Sequence, residues 1–246
     1  MKVTLIASTQ MHEIPSDLFD TKFGIRFNDR DQFWHAEDAP NDADTLAHFS
    51  GRACYQSWNM PNPETQTDDD YIANIIKQGH FSVLEHASAT FYIEGVSRNM
   101  THELVRHRHL SYSELSQRYV DMSTAESVIP PAIRELHEAS GTTDDLKDVL
   151  PYTIDDAFGY AELVAALTTA GYTRKQAREA ARFYLPSGME TKIVVTGNMR
   201  AWRDMLHKRY SVHADAEIRE FATEILKQLR EIAPASFQDF PEEPFQ

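Results

Sequence analysis

Cysteine is nearly absent from this sequence, which contains one, Cys54, among 246 residues. A disulfide within the chain is therefore impossible, and the cytoplasm, a reducing compartment, is the expected location. Long apolar runs are missing as well, so no membrane-spanning helix is predicted. The opening residues, MKVTLIAS, place a short apolar stretch after one basic residue. This is typical of a first strand and is too short for a signal peptide.

Basic residues are also in deficit, because 24 Lys and Arg face 38 Asp and Glu and the formal net charge is -14. Such a chain is not expected to be a general nucleic-acid binder. The basic residues are nevertheless concentrated: residues 98–118 hold four Lys/Arg against two Asp/Glu, and residues 174–219 hold ten against five. A basic site in an acidic chain suits a small anion better than a long polyanion. The alternative is that these arginines lie on solvated helix faces.

Several catalytic motifs are missing. The sequence has no G-x-x-x-x-G-K-[ST] and no G-x-G-x-x-G after a strand, which excludes a P-loop and a dinucleotide-binding Rossmann unit. HELVR (102–106) begins like H-E-x-x-H but has Arg106 at the second histidine position, so it is not a zinc-protease helix. Arginines flank His107 on both sides, which is a poor setting for a metal cation. We therefore expect no metal site.

The most unusual stretch is RHRHLSYSELSQRY (106–119), in which three arginines alternate with histidines and hydroxyl residues. Like charges repel, so this cluster is costly unless an anion binds to it. Glu114, Ser116 and Arg118 are two residues apart, and in an extended backbone they would share one side over roughly 13 Å. A guanidinium binds phosphate oxygens, whereas Ser and Glu suit a sugar hydroxyl or a base edge. The pattern therefore predicts a nucleotide-sized anion site.

The chain as a whole is predicted to be one α+β domain over residues 1–246, with surface excursions at 12–43 and 123–150. Within it, Gly51 is expected to break the first helix, and IPPAI (129–133) is expected to keep the second excursion extended. Strands are predicted near 3–8, 88–95 and 191–198. Helices are predicted near 42–58, 70–79, 97–107, 152–171, 173–185, 200–209 and 213–232. In the second of these helices Ile72, Ile75 and Ile76 share one face, and Gly79 is the expected C-terminal stop. At the start of the fifth, Thr173 and Gln176 are expected to form a capping box.

The stretch 106–119 resembles the signature of the flavin-dependent thymidylate synthases (the ThyX family), an R-H-R followed by spaced Ser, Glu, Ser and Arg-Tyr. The resemblance covers most of residues 50–235, with further blocks in the family's order. These blocks are GRACYQSW (51–58), GHFSVLEHAS (79–88), THELVRHRH (101–109), KQAREAARFYLP (175–186), TKIVVTGNMRAW (191–202) and HADAEIR (213–219).

The resemblance implies a mainly antiparallel sheet flanked by helices, in a homotetramer whose active sites are built from several subunits. It implies conversion of dUMP to dTMP in de novo dTMP biosynthesis, with methylenetetrahydrofolate as carbon donor and FAD and NADPH as reductants. Such an enzyme is both a methyltransferase and an oxidoreductase. Neither a nucleic acid nor a membrane is an expected partner.

The resemblance also assigns residues to the site. The implied dUMP-binding residues are Glu103, Arg106, Glu114, Leu115, Ser116, Gln117, Arg118, Arg182 and Arg209. The implied FAD-binding residues are His80, Ser82, Arg106, His107, Arg108, Glu114, Asn198, Met199, Arg200, Asp204 and His213. Arg209 is the implied catalytic residue, which polarises the uracil ring at N3. Its guanidinium stays protonated, so it can stabilise an anionic uracil but cannot act as a general base.

Two departures from the family pattern are visible. Ser113 stands where many members have Asn, and Asp204 puts an acid at a flavin-contacting position that is neutral or basic in some relatives.

A cysteine nucleophile is not expected. Cys54 lies in a predicted helix with no activating neighbour apart from Arg52. Ser116 has no recognisable Ser-His-acid arrangement and is interpreted as a ligand contact. A route in which reduced flavin delivers hydride to the pyrimidine fits these residues better. The competing hypothesis is a nucleotide- or RNA-binding module that has kept the pocket and lost catalysis.

Overall fold

The structure, a computed structural model, describes residues 1–12, 41–57, 62–65, 67–141 and 156–246. Most of the predicted excursion at 12–43, the end of the one at 123–150 and the start of the predicted helix at 152–171 lie outside the described residues.

The architecture is a mixture of helices and an antiparallel sheet. In the described ranges the sheet has four strands in the order β1-β2-β4-β3. The strands are β1 (Lys2–Ser8), β2 (Ser88–Ser97), β3 (Ser111–Glu114) and β4 (Glu190–Asn198). The helices are α1 (Asp42–Tyr55), α2 (Asp68–Gln78), α3 (Arg98–Leu104), α4 (Pro131–Ser140), α5 (Asp156–Thr169), α6 (Arg174–Ala181), α7 (Met199–Arg209) and α8 (Ala216–Ile232). Short 3-10 helices cover Pro63–Thr65, Phe81–Glu85, Arg182–Tyr184 and Ala235–Phe237.

The contacts divide the chain into two compact units. Unit 1 comprises Met1–Thr4, Tyr92–Val195 and Val212–Phe221, and unit 2 comprises Leu5–Phe91, Thr196–Ser211 and Ala222–Gln246. In unit 1, Met122, Tyr160, Ala181 and Met189 form a buried apolar cluster. In unit 2, the fully buried Trp202 packs edge-on against Phe91 at 5.2 Å, and its indole N–H donates to the Ala89 carbonyl.

Most predicted elements are confirmed. Gly79 ends α2 in the left-handed conformation, with φ of 70°, that glycine adopts without steric cost. The Thr173–Gln176 capping box at the start of α6 forms in both directions. The predicted strands and the two last helices lie within a few residues of the observed elements. None of the described helices is long and apolar enough to cross a bilayer.

The predicted break at Gly51 is wrong, because α1 continues through it to Tyr55. The glycine has a packing role instead. A Cβ atom at this position would lie 2.0 Å from the Tyr71 hydroxyl oxygen. Gly51 therefore allows the ring of Tyr71, from α2, to cross α1 closely.

The helix predicted at 97–107 is also shorter than expected, since α3 ends at Leu104. The Tyr112 hydroxyl lies 2.7 Å from the Leu104 carbonyl oxygen and 2.8 Å from that of His107, and it donates to these carbonyls. Burial raises the pKa of Tyr112, so the hydroxyl keeps its proton. Tyr112 thus fixes the turn that follows α3.

The excursion predicted at 123–150 contains a helix, α4. The interpretation of IPPAI as extended backbone is therefore wrong beyond Pro130. Pro131 occupies the first turn of α4, where the missing N–H would have no helical partner anyway.

Candidate functional site

A cavity of about 730 Å³ lies within unit 1, between α3, the segment after β3 and the Leu185–Ser187 segment. Three of the predicted nucleotide-binding residues line it: Glu103, Glu114 and Gln117. Its volume is within the range of small-molecule pockets, ~300–1,000 Å³. The structure therefore brings together the carboxylates and the amide of the predicted substrate site.

The first three residues of α3 line this cavity, and their backbone amides have protein acceptors. Arg98 N donates to Met189 O at 3.1 Å and Asn99 N donates to Ser187 O at 2.9 Å. Met100 N donates to the Ser97 side chain. Because these donors are satisfied internally, the helix end does not supply the anion-binding groups of the cavity.

The segment after Glu114 differs from the prediction. Strand β3 ends at Glu114, and the chain then turns, with the amides of Tyr119 and Val120 both donating to Ser116 O at 3.0 Å. The predicted extended row through Ser116 and Arg118 is therefore wrong. The buried Gln117 projects into the cavity lining, and the partly buried Leu115 packs against the apolar cluster of unit 1.

Four of the predicted arginines have few or no contacts with polar groups of the described residues. Arg106, Arg108 and Arg182 are exposed, and the guanidinium of none of them has a hydrogen-bond or ion-pair partner among the described residues. Arg118 is partly buried and lies over the ring of its neighbour Tyr119, 5.7 Å from the centroid. None of the four is among the residues that line the unit 1 cavity.

Arg178, one turn before Arg182 on α6, contrasts with it. Its guanidinium donates to Tyr119 O and to Asp121 Oδ2, each at 2.6 Å. The pKa of Asp121 is lowered, first by hydrogen bonds from Ser123 and further by Arg178. Arg178 therefore has a structural role, whereas Arg182 remains available to a ligand or to another chain.

A second cavity, of about 330 Å³, lies within unit 2. Three predicted flavin contacts line it, His80, Ser82 and Arg200, together with Tyr55 and Tyr71, which the sequence did not indicate. A hydroxyl, an imidazole, a guanidinium and aromatic rings are a suitable donor set for a nucleotide portion of a flavin cofactor. The volume suits one end of FAD rather than the whole molecule.

The other predicted flavin residues of unit 2, Asn198, Met199 and Asp204, cap α7 or lie on it. The Asn198 side chain caps the helix by accepting from Ala201 N, and the amide of the buried Met199 donates to Ala87 O. Asp204 pairs with Lys208 one turn later at 2.7 Å, which offsets the acid that departs from the family pattern. Arg200 pairs with Glu85 at 2.5 Å.

The remaining predicted residues are distributed over both units. Arg209 is the last residue of α7 in unit 2 and is partly buried. His213 is exposed in the turn before α8, and His107 is buried, both in unit 1.

A buried polar chain supports the wall of the unit 2 cavity. His48 Nδ1 lies 2.7 Å from Asp68 Oδ1, and Arg52 Nε donates to His48 Nε2 at 3.0 Å. Since Nε2 accepts, His48 is neutral with its proton on Nδ1. Burial lowers the pKa of His48, which agrees with that state. The ring of Tyr71 stacks on His48 at 4.1 Å, so these hydrogen-bonded side chains fix the position of Tyr71, which lines the cavity.

In the described ranges, no three His, Cys, Asp or Glu side chains are grouped so that they could hold a metal ion.

Comparisons with a family model and with individual proteins point to the same family. Residues 37–235 match a family model described as Thymidylate synthase complementing protein. Similar proteins include those called Flavin-dependent thymidylate synthase from Mycobacterium bovis (strain BCG / Pasteur 1173P2) and Mycobacterium tuberculosis (strain ATCC 25618 / H37Rv). Each is 52% identical over 203 residues, which is 79% of this chain and 78% of the relative. A protein of the same name from Mycobacteroides abscessus is 49% identical over 213 residues, 82% of this chain and 83% of the relative.

Proposed function

Since the chain belongs to the flavin-dependent thymidylate synthase family, we propose that it converts dUMP to dTMP, with methylenetetrahydrofolate as carbon donor and NADPH as reductant. The observation that carries the proposal is the set of exposed arginines, Arg106, Arg108 and Arg182, without partners in the described part of the chain. A nucleoside monophosphate carries a charge of about -2 at neutral pH. It would relieve the repulsion among guanidinium groups that no carboxylate neutralises.

The unit 1 cavity is proposed to hold the nucleoside. Glu103, Glu114 and Gln117 supply acceptors and an amide for the uracil edge and the sugar hydroxyl. Ser116 and Arg118 follow directly in the turn, where they would reach the phosphate. Arg209 is proposed to stabilise negative charge that develops on the uracil at N3.

The arginines that do not line this cavity favour a shared site. We propose that the chain forms a homotetramer in which Arg106 or Arg182 of one copy completes the pocket of another. Phe183 and Tyr184, next to Arg182, support this because 84% and 51% of their surface is exposed. Large exposed aromatic side chains are typical of surfaces that another chain covers.

FAD is the proposed cofactor, held in part by His80, Ser82 and Arg200, with Arg106, His107, Arg108, Glu114, Asn198, Met199, Asp204 and His213 as further candidate contacts. When bound and reduced, flavin supplies a hydride for the pyrimidine. Cys54 lines the unit 2 cavity and is not among the residues of the unit 1 cavity. This position supports a route without a cysteine nucleophile.

We further propose that the whole chain acts as one domain, because a single family match extends over segments of both units. The proposed location is the cytoplasm, where dUMP, folate and NADPH are the partners.

The test is spectroscopic and isotopic. The purified protein should be yellow, should oxidise NADPH faster when dUMP is added, and should release tritium from 5-tritiated dUMP when methylenetetrahydrofolate is present. Binding of dUMP without tritium release would favour a binding module. Colourless protein that takes up no FAD and binds no dUMP would reject the proposal.

A further inference from the structure

Of the Lys and Arg residues that the structure describes, Arg98 alone lines the unit 1 cavity. Neither the motifs nor the resemblance indicated it. It is the first residue of α3, where a cation is opposed by the positive end of the helix dipole. A cation in this unfavourable position needs a compensating partner. That partner is Glu114, whose Oε1 lies 3.2 Å from Arg98 Nη1.

The backbone of Arg98 is held firmly. Its amide donates to Met189 O, and the next amide donates to Ser187 O. On the other side, the buried Glu217 accepts from both the amide and the hydroxyl of Ser97, at 2.8 and 2.6 Å. The guanidinium therefore extends into the cavity from a fixed base.

Glu114 is held on one oxygen. Thr101 Oγ1 donates to Glu114 Oε1 at 2.9 Å, the same atom that Arg98 faces. The other oxygen, Oε2, has no hydrogen-bond partner among the residues that the structure describes. One oxygen thus anchors the carboxylate, and the second remains available for a donor on a ligand.

We propose that Arg98 is a positioning residue for nucleotide binding: with Thr101 it orients the Glu114 carboxylate and neutralises its charge, so that Oε2 accepts from an N–H or O–H of the bound nucleoside. This inference rests on the proposed function. It differs from a direct phosphate contact, because Arg98 acts through Glu114 and its guanidinium does not need to touch the ligand.

The physical consequence of losing Arg98 is twofold. The carboxylate would be free to take other rotamers, so its acceptor would be less well placed. It would also be an unpaired negative charge facing an anionic ligand, which is repulsive.

The test is a double-mutant cycle on the full-length, flavin-loaded protein, with dUMP affinity measured by calorimetry. R98Q should weaken dUMP binding at least about tenfold, because the hydrogen bond from the nucleoside to the charged Glu114 carboxylate would be lost. This factor is the lower end of the range expected for a hydrogen bond to a charged group. In the E114Q background, the same R98Q change should weaken it less than about twofold, because the residue through which Arg98 acts is already altered. An equal loss in both backgrounds would show direct contact with the ligand and overturn the inference.

Three further variants complete the design. R134Q is the matched control, since Arg134 pairs with Glu220 in the same unit and does not line the cavity; its dUMP affinity should not change. If R98Q does not fold, R98K and T101V should each give an intermediate loss that also disappears in the E114Q background, and a loss that persists there would count against the inference. Wild-type protein that binds no dUMP would instead reject the proposed function itself, together with the inference.

Discussion

One arginine of unit 2 and three arginines of unit 1 have opposite surroundings. In unit 2, the buried Arg203 makes two hydrogen bonds to the Asp239 carboxylate and one to Ser236 O, and it lies between the rings of Phe81 and Phe240. In unit 1, Arg106, Arg108 and Arg182 are exposed, and their guanidinium groups have no partners among the described residues. Arg203 therefore serves stability, whereas Arg106, Arg108 and Arg182 remain available for ligands.

Arginine content by itself therefore does not locate a binding site. A buried guanidinium must be paired, because an uncompensated charge in the interior is costly. An exposed guanidinium in a cluster of like charge gains little from the protein itself, and an anion removes the repulsion. Burial together with a carboxylate partner distinguishes Arg203 from the exposed, unpartnered Arg106, Arg108 and Arg182.

Removing the carboxylate of the Arg203–Asp239 ion pair in unit 2 should have the strongest consequence of the changes considered. Asp239→Ala should lower the free energy of unfolding by about 3–5 kcal/mol, because Arg203 would remain buried without its carboxylate. Urea denaturation at fixed protein concentration measures this. Glu242→Ala is the matched control: Glu242 pairs with Arg230 in the same C-terminal segment, but its side chain is 90% exposed, so the change should cost less than about 1 kcal/mol. Equal losses in the two variants would contradict the distinction between buried and exposed pairs.

The second effect concerns pH. Burial raises the pKa of Asp44 to about 6, although it accepts hydrogen bonds from Ser236 and from the amide of Ala235. Because the folded-state value lies above the ordinary value of about 3.9, the stabilisation from protonation is complete below pH 4 and is lost as the pH rises through 6.

The measurement is urea denaturation of the wild type and of Asp44→Asn at pH 4, 5, 6 and 7. The wild type should lose about 2–3 kcal/mol relative to the variant across this range. A difference that stays constant with pH would show that Asp44 titrates normally.

The third effect concerns the unpaired arginines of unit 1. Arg182→Ala should weaken dUMP binding by about 1.5–3 kcal/mol, because a charged hydrogen bond is lost, and should leave the melting temperature nearly unchanged. Arg178→Ala, one turn away, should lower the melting temperature and leave dUMP affinity nearly unchanged, since Arg178 is paired with Asp121. Calorimetry and thermal denaturation of both variants test the pair, and weaker dUMP binding in Arg178→Ala alone would reverse the assignment.

The smallest effect should come from Asp204. Because Lys208 already offsets its charge, Asp204→Asn should change FAD affinity by no more than about twofold. Fluorescence titration of the flavin-free protein with FAD gives the value. A gain of tenfold or more would mean that the carboxylate repels the cofactor despite Lys208.

Local sequence patterns predicted much of the fold. The apolar spacing of α2, its glycine cap at Gly79 and the capping box at Thr173 each depend on neighbouring residues, and all three are confirmed. The role of Gly51 could not be predicted in this way, because a glycine is required there by the ring of Tyr71, which belongs to another helix. The early end of α3 likewise depends on Tyr112, a residue beyond the helix.

The site was predicted in part for the same reason. The resemblance indicated Glu103, Glu114 and Gln117, which do line one cavity. Arg98 was not predicted, because its proposed role depends on the carboxylate of Glu114, sixteen positions later, and on the turn that brings Glu114 close to it. One signal was nevertheless present in the sequence, a cation in the first turn of a predicted helix, where the helix dipole disfavours it.

Whether the unpaired guanidinium groups bind the phosphate of a pyrimidine nucleotide can be decided by comparing dUMP with deoxyuridine as ligands. Both are titrated into the flavin-loaded protein in a calorimeter at one salt concentration. We expect dUMP to bind at least about tenfold more tightly than deoxyuridine, because charge-assisted hydrogen bonds to phosphate contribute about 1.5–3 kcal/mol each. Equal affinity for the two ligands would contradict this expectation.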